Sequence, residues 1–466
     1  MLDCRFAQPV YVESMYDCRE SFTYSRKRPE QGGVSVRHAF LLGGLMLAMV
    51  ACAFGDLEGV FIADPDHPAI EYSSRPLKDA VSELNRKIQT GKVRLNFDEG
   101  RGYLRSVLEA LSIPVESQIV VFSKTSVQMA RINPHNPRSL YYNDSVVVGW
   151  VRGGPIVELA AEDPKQGVIF FTLDQKPTEK PQFRRQDACL TCHLSYSSLG
   201  VPGMLVRSVF PGPDGKPMRE LGDYITDDRS PVEQRWGGWY VTGSTGSIRH
   251  MGNAVVTNTA RQESLAADQT LNLKSLEREF DTGGYLSPYS DVVALMVFEH
   301  QMHMVNLFTR VGWEVRFALY QERTDETLRS HSATEGLLRD TARELVDYML
   351  FVDETPLADK IQGTSGFGEA FSAEGPRDSK GRSLRQFDLQ RRLMRYPCSY
   401  MIYSEAFDGM PDQAREAAYK RMWQILSGEE KSQKYSKLSL ADRQAIVEIL
   451  HETKKGLPDY FQSVTY

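Results

Sequence analysis

The sequence predicts an α+β protein, with helices and an antiparallel sheet in its N-terminal part and a mostly helical C-terminal region. Two amphipathic patterns come first, a series of short β-branched and aromatic runs follows, and long helical periodicities close the chain. Helices and strands that are segregated along a chain, instead of alternating, indicate the α+β class. A length of 466 residues is enough for two or three domains of roughly 150 residues each.

Two amphipathic helices are predicted between residues 56 and 115. The first begins near Pro76, a favourable residue for a first helical turn, and ends at Gly91 as its C-cap. The second covers about 103–111 and stops before Pro114. Each carries aliphatic side chains three and four residues apart, so each has one apolar face to bury.

Five short strands are predicted next, separated by Asn/Pro, Gly-Gly and Asp-Pro turn signals. They lie at 118–123, 139–144, 146–151, 155–160 and 168–173. Their close spacing indicates an antiparallel meander.

The rest of the chain has a Gly/Pro-rich segment followed by a mainly helical one. Residues 200–260 are rich in Gly and Pro and contain one strand-like run, WGGWYV at 236–241. From about residue 262 helical periodicity dominates, interrupted by a Gly/Ser-rich loop at 363–382. Helices are predicted at about 290–310, 325–352, 411–428 and 439–456.

Composition argues against a nucleic-acid partner. The formal net charge is −6 and charged residues make up 25% of the chain. A protein that binds the phosphate backbone presents a basic face, and no such excess is present. We therefore expect no nucleic-acid partner.

The apolar run AFLLGGLMLAMVACAF at 39–54 is predicted to be part of a signal peptide at 37–53. It follows Arg37, ends in small residues, and is shorter than the roughly 20 residues of a membrane span. Export to the periplasm is expected, with Cys52 as a candidate lipid anchor and an uncleaved membrane anchor as the other alternative. Because 1–36 is polar and lacks periodicity, our hypothesis is that this extension lies upstream of the true translation start.

Three of the six cysteines lie after the predicted export segment. Cys189 and Cys192 belong to one short motif, which leaves Cys398 alone in an apolar setting. A disulfide-stapled fold is therefore not supported. Cys398 is interpreted as a small buried hydrophobic residue.

The motif Cys189-Leu-Thr-Cys-His193 is typical of covalent haem c attachment. Two thiols with two residues between them reach the two vinyl groups of one haem, and the following His is the proximal iron ligand. Three alternatives share parts of the pattern: a redox dithiol, a zinc site completed by His250, His300 or His303, and an exported disulfide. The predicted export segment favours haem, because bacteria attach it outside the cytoplasm.

The second axial ligand is open to several candidates. His300 ranks first, because it shares a predicted helix face with Met296 and His303, and a buried His needs a partner. His250 and Met251 follow in the Gly-rich stretch GSIRHMGN. For the haem propionates the candidate partners are Arg184, Arg185 and Arg207.

Several stretches resemble a family of large, exported, single-haem bacterial cytochrome c proteins. They are found at 119–128, 133–144, 189–193, 235–243, 249–253, 294–304 and 395–408. The resemblance implies haem binding and electron transfer within one integrated fold, and Cys189, Cys192 and His193 are the residues that carry over. It assigns neither a second axial ligand nor a substrate.

These observations divide the chain into segments. They are the extension 1–36, the signal peptide 37–53, an α+β region 54–180, a haem-binding segment 181–261 and a helical region 262–466. The expected function is electron transfer with an unknown redox partner protein. The alternatives are a peroxidase-like haem oxidoreductase with an open or displaceable second ligand, and a haem-based redox or gas sensor.

Overall fold

The computed structural model describes residues 61, 64–257, 271–325 and 331–462. The predicted extension, the export segment and Cys52 lie outside these residues. In the described part of the chain, no helix is both long and apolar enough to cross a membrane.

A seven-stranded antiparallel sheet forms the centre of the N-terminal half, in the order β6-β5-β4-β3-β2-β1-β9. Its strands are β1 (Ile119–Val121), β2 (Arg138–Tyr142), β3 (Val146–Val151), β4 (Ile156–Asp163), β5 (Gly167–Asp174), β6 (Phe183–Arg185) and β9 (Trp239–Tyr240). A separate hairpin pairs β7 (Val206–Val209) with β8 (Asp223–Thr226). The predicted meander is confirmed for β1 to β5, and the α+β class is confirmed with it.

The sheet is covered on both faces. Two helices, α1 (Ala80–Gln89) and α2 (Leu104–Ala110), contribute Val81, Leu84 and Val107 to a core that includes Trp150 of one sheet face. The opposite face, which includes Leu140 and Phe170, packs against the C-terminal helices. Because strand side chains alternate between faces, each strand contributes side chains to both cores.

The C-terminal helices are organised around one long helix, which is 33 residues long and extends well past the predicted residue 310. Asp291 caps its first turn by accepting from the backbone N–H of Val293, at 2.8 Å. The helices are α4 (Val292–Thr324), α5 (His331–Met349), α6 (Phe367–Ala373), α7 (Glu405–Gly409), α8 (Asp412–Leu426) and α9 (Leu440–Thr453). Helix α6 forms inside the segment predicted to be a Gly/Ser-rich loop.

The motif-bearing segment joins the two edges of the sheet. It leaves from β6 at one edge, passes through a short helix α3 (Leu190–His193) and the β7–β8 hairpin, and returns as β9 at the other edge, beside β1. The predicted segments 54–180 and 181–261 therefore share one sheet, and the motif lies close to its buried faces.

Candidate functional site

The CLTCH motif forms a single compact helical turn. A 3-10 turn, Asp187–Cys189, runs directly into α3. Residues three and four apart lie on the same side of a helix, so Cys189, Cys192 and His193 are neighbours. Cys189 is half-buried and Cys192 is exposed, and both are free thiols. Leu190 packs against the core and holds the turn in place.

His193 has the orientation that an iron ligand requires. Its Nδ1 atom lies 2.9 Å from the carbonyl oxygen of Gly203, and a carbonyl only accepts, so Nδ1 carries the proton and donates. The lone pair of the neutral ring is therefore on Nε2. A metal-binding His commonly donates its other ring N–H in this way. The ring also packs on Phe170, with 4.7 Å between centroids.

Helix α4 holds the backbone next to Gly203, whose carbonyl orients His193, through bonds to Met204. The Asn306 side-chain oxygen accepts from the backbone N–H of Met204 at 3.0 Å, and its amide donates to the Met204 carbonyl at 2.6 Å. A Cβ at Gly203 would lie 2.2 Å from the Asn306 side-chain oxygen. The close approach of helix and loop therefore requires glycine at this position.

An ion pair that the sequence did not predict lies beside the motif. Arg138 and Glu158 approach to 2.7 Å, with side chains 17% and 18% exposed. Burial lowers the pKa of His193, Arg138 lowers it further, and the backbone bond to Gly203 and the charge of Glu158 oppose this. Burial also raises the pKa of the Cys189 thiol, and the negative charge of Glu158 adds to it. No sequence pattern links a residue of β2 to one of β4.

The same carboxylate holds the loop that follows β1. Ser126 donates its hydroxyl proton to Glu158 at 2.6 Å, and the Gln128 amide donates to the same oxygen at 3.0 Å. Glu158 therefore joins three partners: Arg138 of the sheet and two side chains of the loop 125–131. This arrangement fixes the loop to the sheet at the Glu158 carboxylate.

His300, the first-ranked candidate for the second axial ligand, is wholly buried and uses both ring nitrogens within the protein. Nδ1 lies 3.3 Å from the Asp228 carboxylate, and Nε2 lies 2.7 Å from the Ser399 hydroxyl. The rings of Tyr348 and Phe351 stack on it. In this conformation His300 would bind iron through Nε2 only after losing its hydrogen bond with Ser399.

His303 and Glu299, next to His300 on α4, are also engaged. His303 lies 3.4 Å from Asp227, and burial lowers its pKa to about 4. Glu299 accepts from Thr226 at 2.7 Å and pairs with Arg235 at 3.2 Å. The polar groups of this face thus form a buried network with the β8 region.

His250 has the tautomer opposite to that of His193. The backbone N–H of Gly252 donates to its Nδ1 atom at 3.0 Å, so the proton of the neutral ring is on Nε2. That Nε2 atom is buried without a hydrogen-bond partner, and burial lowers the pKa of the ring to about 4. Binding iron through Nε2 would require the Gly252 bond to be lost or the ring to become an imidazolate.

Met251 is packed in a small core with Phe210, Ala254 and Val256. Its sulfur lies 3.6 Å from the Ser208 hydroxyl, which donates to it. The three candidates for the second ligand therefore each have their coordinating atom occupied or protonated in this conformation, and their ligand roles stay predictions.

The arginines predicted as propionate partners have partners in the protein. Arg184 lies 3.3 Å from Asp174, and Arg185 lies 2.8 Å from Asp187. Arg207 pairs with Asp223 of the hairpin. Of Arg138 and these three arginines, only Arg138 exerts its charge on His193.

The residues of the motif fit a covalently bound haem. Both thiols are unbonded, and His193 presents an unprotonated Nε2 through its bond to Gly203. A zinc site needs about four protein ligands, and no cluster of three or more His, Cys, Asp or Glu side chains that could hold a metal ion occurs within the described residues. Comparison with family models, curated proteins and solved structures gives no significant match.

Proposed function

We propose that this chain is an exported c-type cytochrome that binds one haem covalently through Cys189 and Cys192 and transfers electrons. The observation that carries the proposal is the bond from His193 Nδ1 to Gly203, at 2.9 Å. It leaves Nε2 as a free, neutral donor atom directly after two unbonded cysteines, which is the donor set of haem c.

When bound, the haem supplies a one-electron couple. The chain's own part is to fix the iron ligand, which it does through Gly203 and Asn306. The Glu158 carboxylate, shared by Arg138 and the loop 125–131, adds a fixed negative charge near the motif. Charge and hydrogen bonding around a haem set its reduction potential.

The test is production of the chain with its export segment in a bacterium that has the c-type haem attachment apparatus. We expect the periplasmic product to carry the mass of one haem, to keep it through denaturing electrophoresis, and to have lost residues up to about 53. A variant with both Cys189→Ser and Cys192→Ser should carry none. Cys398→Ser is the matched control and should keep the full complement.

Three results would contradict the proposal. They are an exported product without covalent haem, haem that denaturation removes, and a stable bond between Cys189 and Cys192 in the mature chain. The last would favour the redox dithiol or the disulfide. An electron carrier should also reduce and reoxidise reversibly, and turnover of hydrogen peroxide above that of free haem would favour the peroxidase-like alternative.

A further inference from the structure

A cavity of about 110 Å³ lies where the turn after β8 meets the C-terminal end of helix α5. Its walls come from residues 228 and 229, from side chains between 344 and 354, and from Lys434. Two bonds hold the segments together, because Thr355 donates its backbone N–H to the Asp228 carbonyl at 3.0 Å and its hydroxyl to the Arg229 carbonyl at 2.7 Å. One water molecule needs about 10–15 Å³ of such volume, so the cavity has room for several non-hydrogen atoms.

Carboxylates outnumber cationic side chains around this cavity. Five carboxylates line it, together with the two cations Arg229 and Lys434. Lys434 bonds Asp347 at 2.9 Å and Asp353 at 3.1 Å. Arg229 pairs at 2.5 Å with Asp227, which is not part of the lining. The charges of both cations are therefore already engaged.

Asp228 and Glu354 are the two carboxylates of the cavity that pair with no Lys or Arg in the described part of the chain. The Glu344 carboxylate, by contrast, lies 3.3 Å from Arg310. One oxygen of Glu354 accepts from the backbone N–H of Leu393 at 2.7 Å. Burial and the charge of Asp228 raise the pKa of Glu354 to about 8, so the two carboxylates oppose each other's ionisation. A cation in the cavity would remove this repulsion.

The Asp228 carboxylate has one oxygen left over. The residue is 4% exposed, and its Oδ2 atom lies 3.3 Å from Nδ1 of His300. Its Oδ1 atom and the hydroxyl of Tyr348, which lines the same cavity, have no hydrogen-bond partner among the described residues. Buried polar groups are almost always hydrogen-bonded. Two such oxygen atoms on one cavity therefore indicate an occupant that donates to them.

We propose that this cavity binds the primary ammonium group of an amine, held by Asp228, Glu354 and Tyr348. An ammonium group has three N–H donors and no acceptor, and these residues offer two carboxylates and a hydroxyl oxygen. Phe351 and Val352 supply apolar wall for a carbon chain. The CLTCH motif contributes no residue to the cavity, so the inference goes beyond the proposed function and does not depend on haem.

Charge distinguishes an ammonium group from water as the occupant. Water would satisfy the free oxygens with hydrogen bonds, but it would leave the excess negative charge of the cavity in place. A cation compensates that charge, and its hydrogen bonds to a carboxylate are roughly twice as strong as those between neutral groups. A metal ion fits less well, because the described residues contain no cluster of three or more His, Cys, Asp or Glu side chains that could hold one.

The test titrates the mature holoprotein with propylammonium chloride and follows binding by isothermal titration calorimetry. The probe 1-propanol has the same chain without the charge, and tetramethylammonium has the charge without N–H donors. Nα-Acetyl-lysine amide presents the ammonium group as a lysine side chain of a partner protein would.

The variants are Asp228→Asn and Glu354→Gln, which keep an oxygen for the bonds with His300 and Leu393. Asp340→Asn, exposed on the same helix α5, is the matched control. Circular dichroism establishes that each variant is folded before it is titrated. If Asp228→Asn does not fold, Glu354→Gln decides the test.

We expect one saturable site for propylammonium, with a Kd of about 0.1–10 mM for a ligand of this size. Each of the two cavity variants should bind roughly tenfold more weakly or worse, as expected for the loss of a hydrogen bond to a charged group. The two other small probes should also bind roughly tenfold more weakly, and Asp340→Asn should keep the wild-type affinity. Acetyl-lysine amide that binds as tightly as propylammonium identifies a partner's lysine as the ligand, and much weaker binding identifies a free amine.

Several results would overturn the inference. They are no saturable binding of propylammonium, equal binding of 1-propanol or tetramethylammonium, and unchanged affinity in the folded cavity variants. Displacement of propylammonium by an equal concentration of sodium would also overturn it, since the site would then be one for inorganic cations. Intact mass reports haem attachment separately, so failure of this inference and failure of the proposed function are distinguishable.

Discussion

The guanidinium of Arg138 crosses strand β3 to reach the carboxylate of Glu158, at 2.7 Å. The residue of β3 that pairs with Glu158 is Gly149, and it has no side chain to block the path. A Cβ there would lie 3.4 Å from a carboxylate oxygen of Glu158 and 3.1 Å from Leu140. The sheet thus places a partly buried ion pair next to the haem motif.

Glu158→Gln should raise the reduction potential of the haem. The carboxylate favours the more positive ferric state, and its removal also leaves Arg138 uncompensated, so both changes favour reduction. We expect the reduction equilibrium to shift about tenfold, which is ~59 mV for a one-electron couple. Redox titration of the holoprotein measures it.

Glu109→Gln is the matched control for this substitution. Glu109 is exposed on α2, a helix that packs on the opposite face of the sheet. The haem of the Glu109→Gln variant should keep the wild-type reduction potential. A shift of equal size in both variants, or none in Glu158→Gln, would mean that Glu158 does not act on the haem.

Asn306→Ala should destabilise the protein at the site itself. The substitution leaves the buried N–H and carbonyl of Met204 without their partner at 3.0 and 2.6 Å, at about 1–3 kcal/mol for each group. The free energy of unfolding, from denaturant titration, should fall accordingly. Gln321→Ala, at an exposed position on the same helix, should change it by less than about 0.5 kcal/mol.

The sequence predicted local elements better than their partners. Strands β1 to β5 follow from β-branched runs between turn residues, and the first helix of the predicted pair is confirmed as Ala80–Gln89. The pairing of β9 with β1 was not predicted, because Val120 and Tyr240 face each other across 120 positions of chain. Tertiary packing also turned part of the loop at 363–382 into the helix Phe367–Ala373.

At the site, the motif was readable because its chemistry is local. Cys189, Cys192 and His193 are adjacent in the chain, so spacing alone indicates haem. Glu158 reaches Arg138 on another strand and Ser126 and Gln128 in a loop, and no sequence pattern indicates these contacts. His300 was predicted as an iron ligand because it is a His on an apolar helix face. In the structure its two ring nitrogens contact Asp228 and Ser399 instead.

His300→Ala should lower the free energy of unfolding and leave the haem spectrum the same as that of the wild type. It removes the bonds to Asp228 and Ser399 and opens a cavity under stacked rings, so we expect a loss of about 2–5 kcal/mol. His451→Ala, exposed on α9, should have little effect. Conversion of His300→Ala to a high-spin haem would instead identify His300 as the second ligand.

Alkylation should separate the motif cysteines from Cys398. Cys398 is wholly buried, and burial raises the pKa of its thiol to about 12. In the haem-free mature chain, iodoacetamide should modify Cys192 first and Cys189 more slowly, and leave Cys398 unmodified until denaturant is added. Peptide mass spectrometry locates the label, and early modification of Cys398 in the folded chain would contradict its burial.

Glu162 should make the protein less stable as the pH rises. Burial raises the pKa of this carboxyl from 4.5 to about 8, and the like charges of Asp144, Glu405 and Asp163 add to the shift. Between these two values the unfolded chain is ionised and the folded chain is protonated. Unfolding then releases a proton, so the stability present at low pH is lost as the pH approaches 8.

Glu162→Gln should remove this dependence, because glutamine keeps the shape and carries no titrating proton. Each unit of pKa difference corresponds to about 1.4 kcal/mol, so we expect the variant to match the wild type near pH 4 and to exceed it by about 1–4 kcal/mol near pH 9. Denaturant unfolding of both holoproteins at several pH values measures the difference. Glu335→Gln, at an exposed position, should follow the wild type throughout. A Glu162→Gln curve parallel to the wild type would mean that Glu162 is ionised in the folded protein at neutral pH.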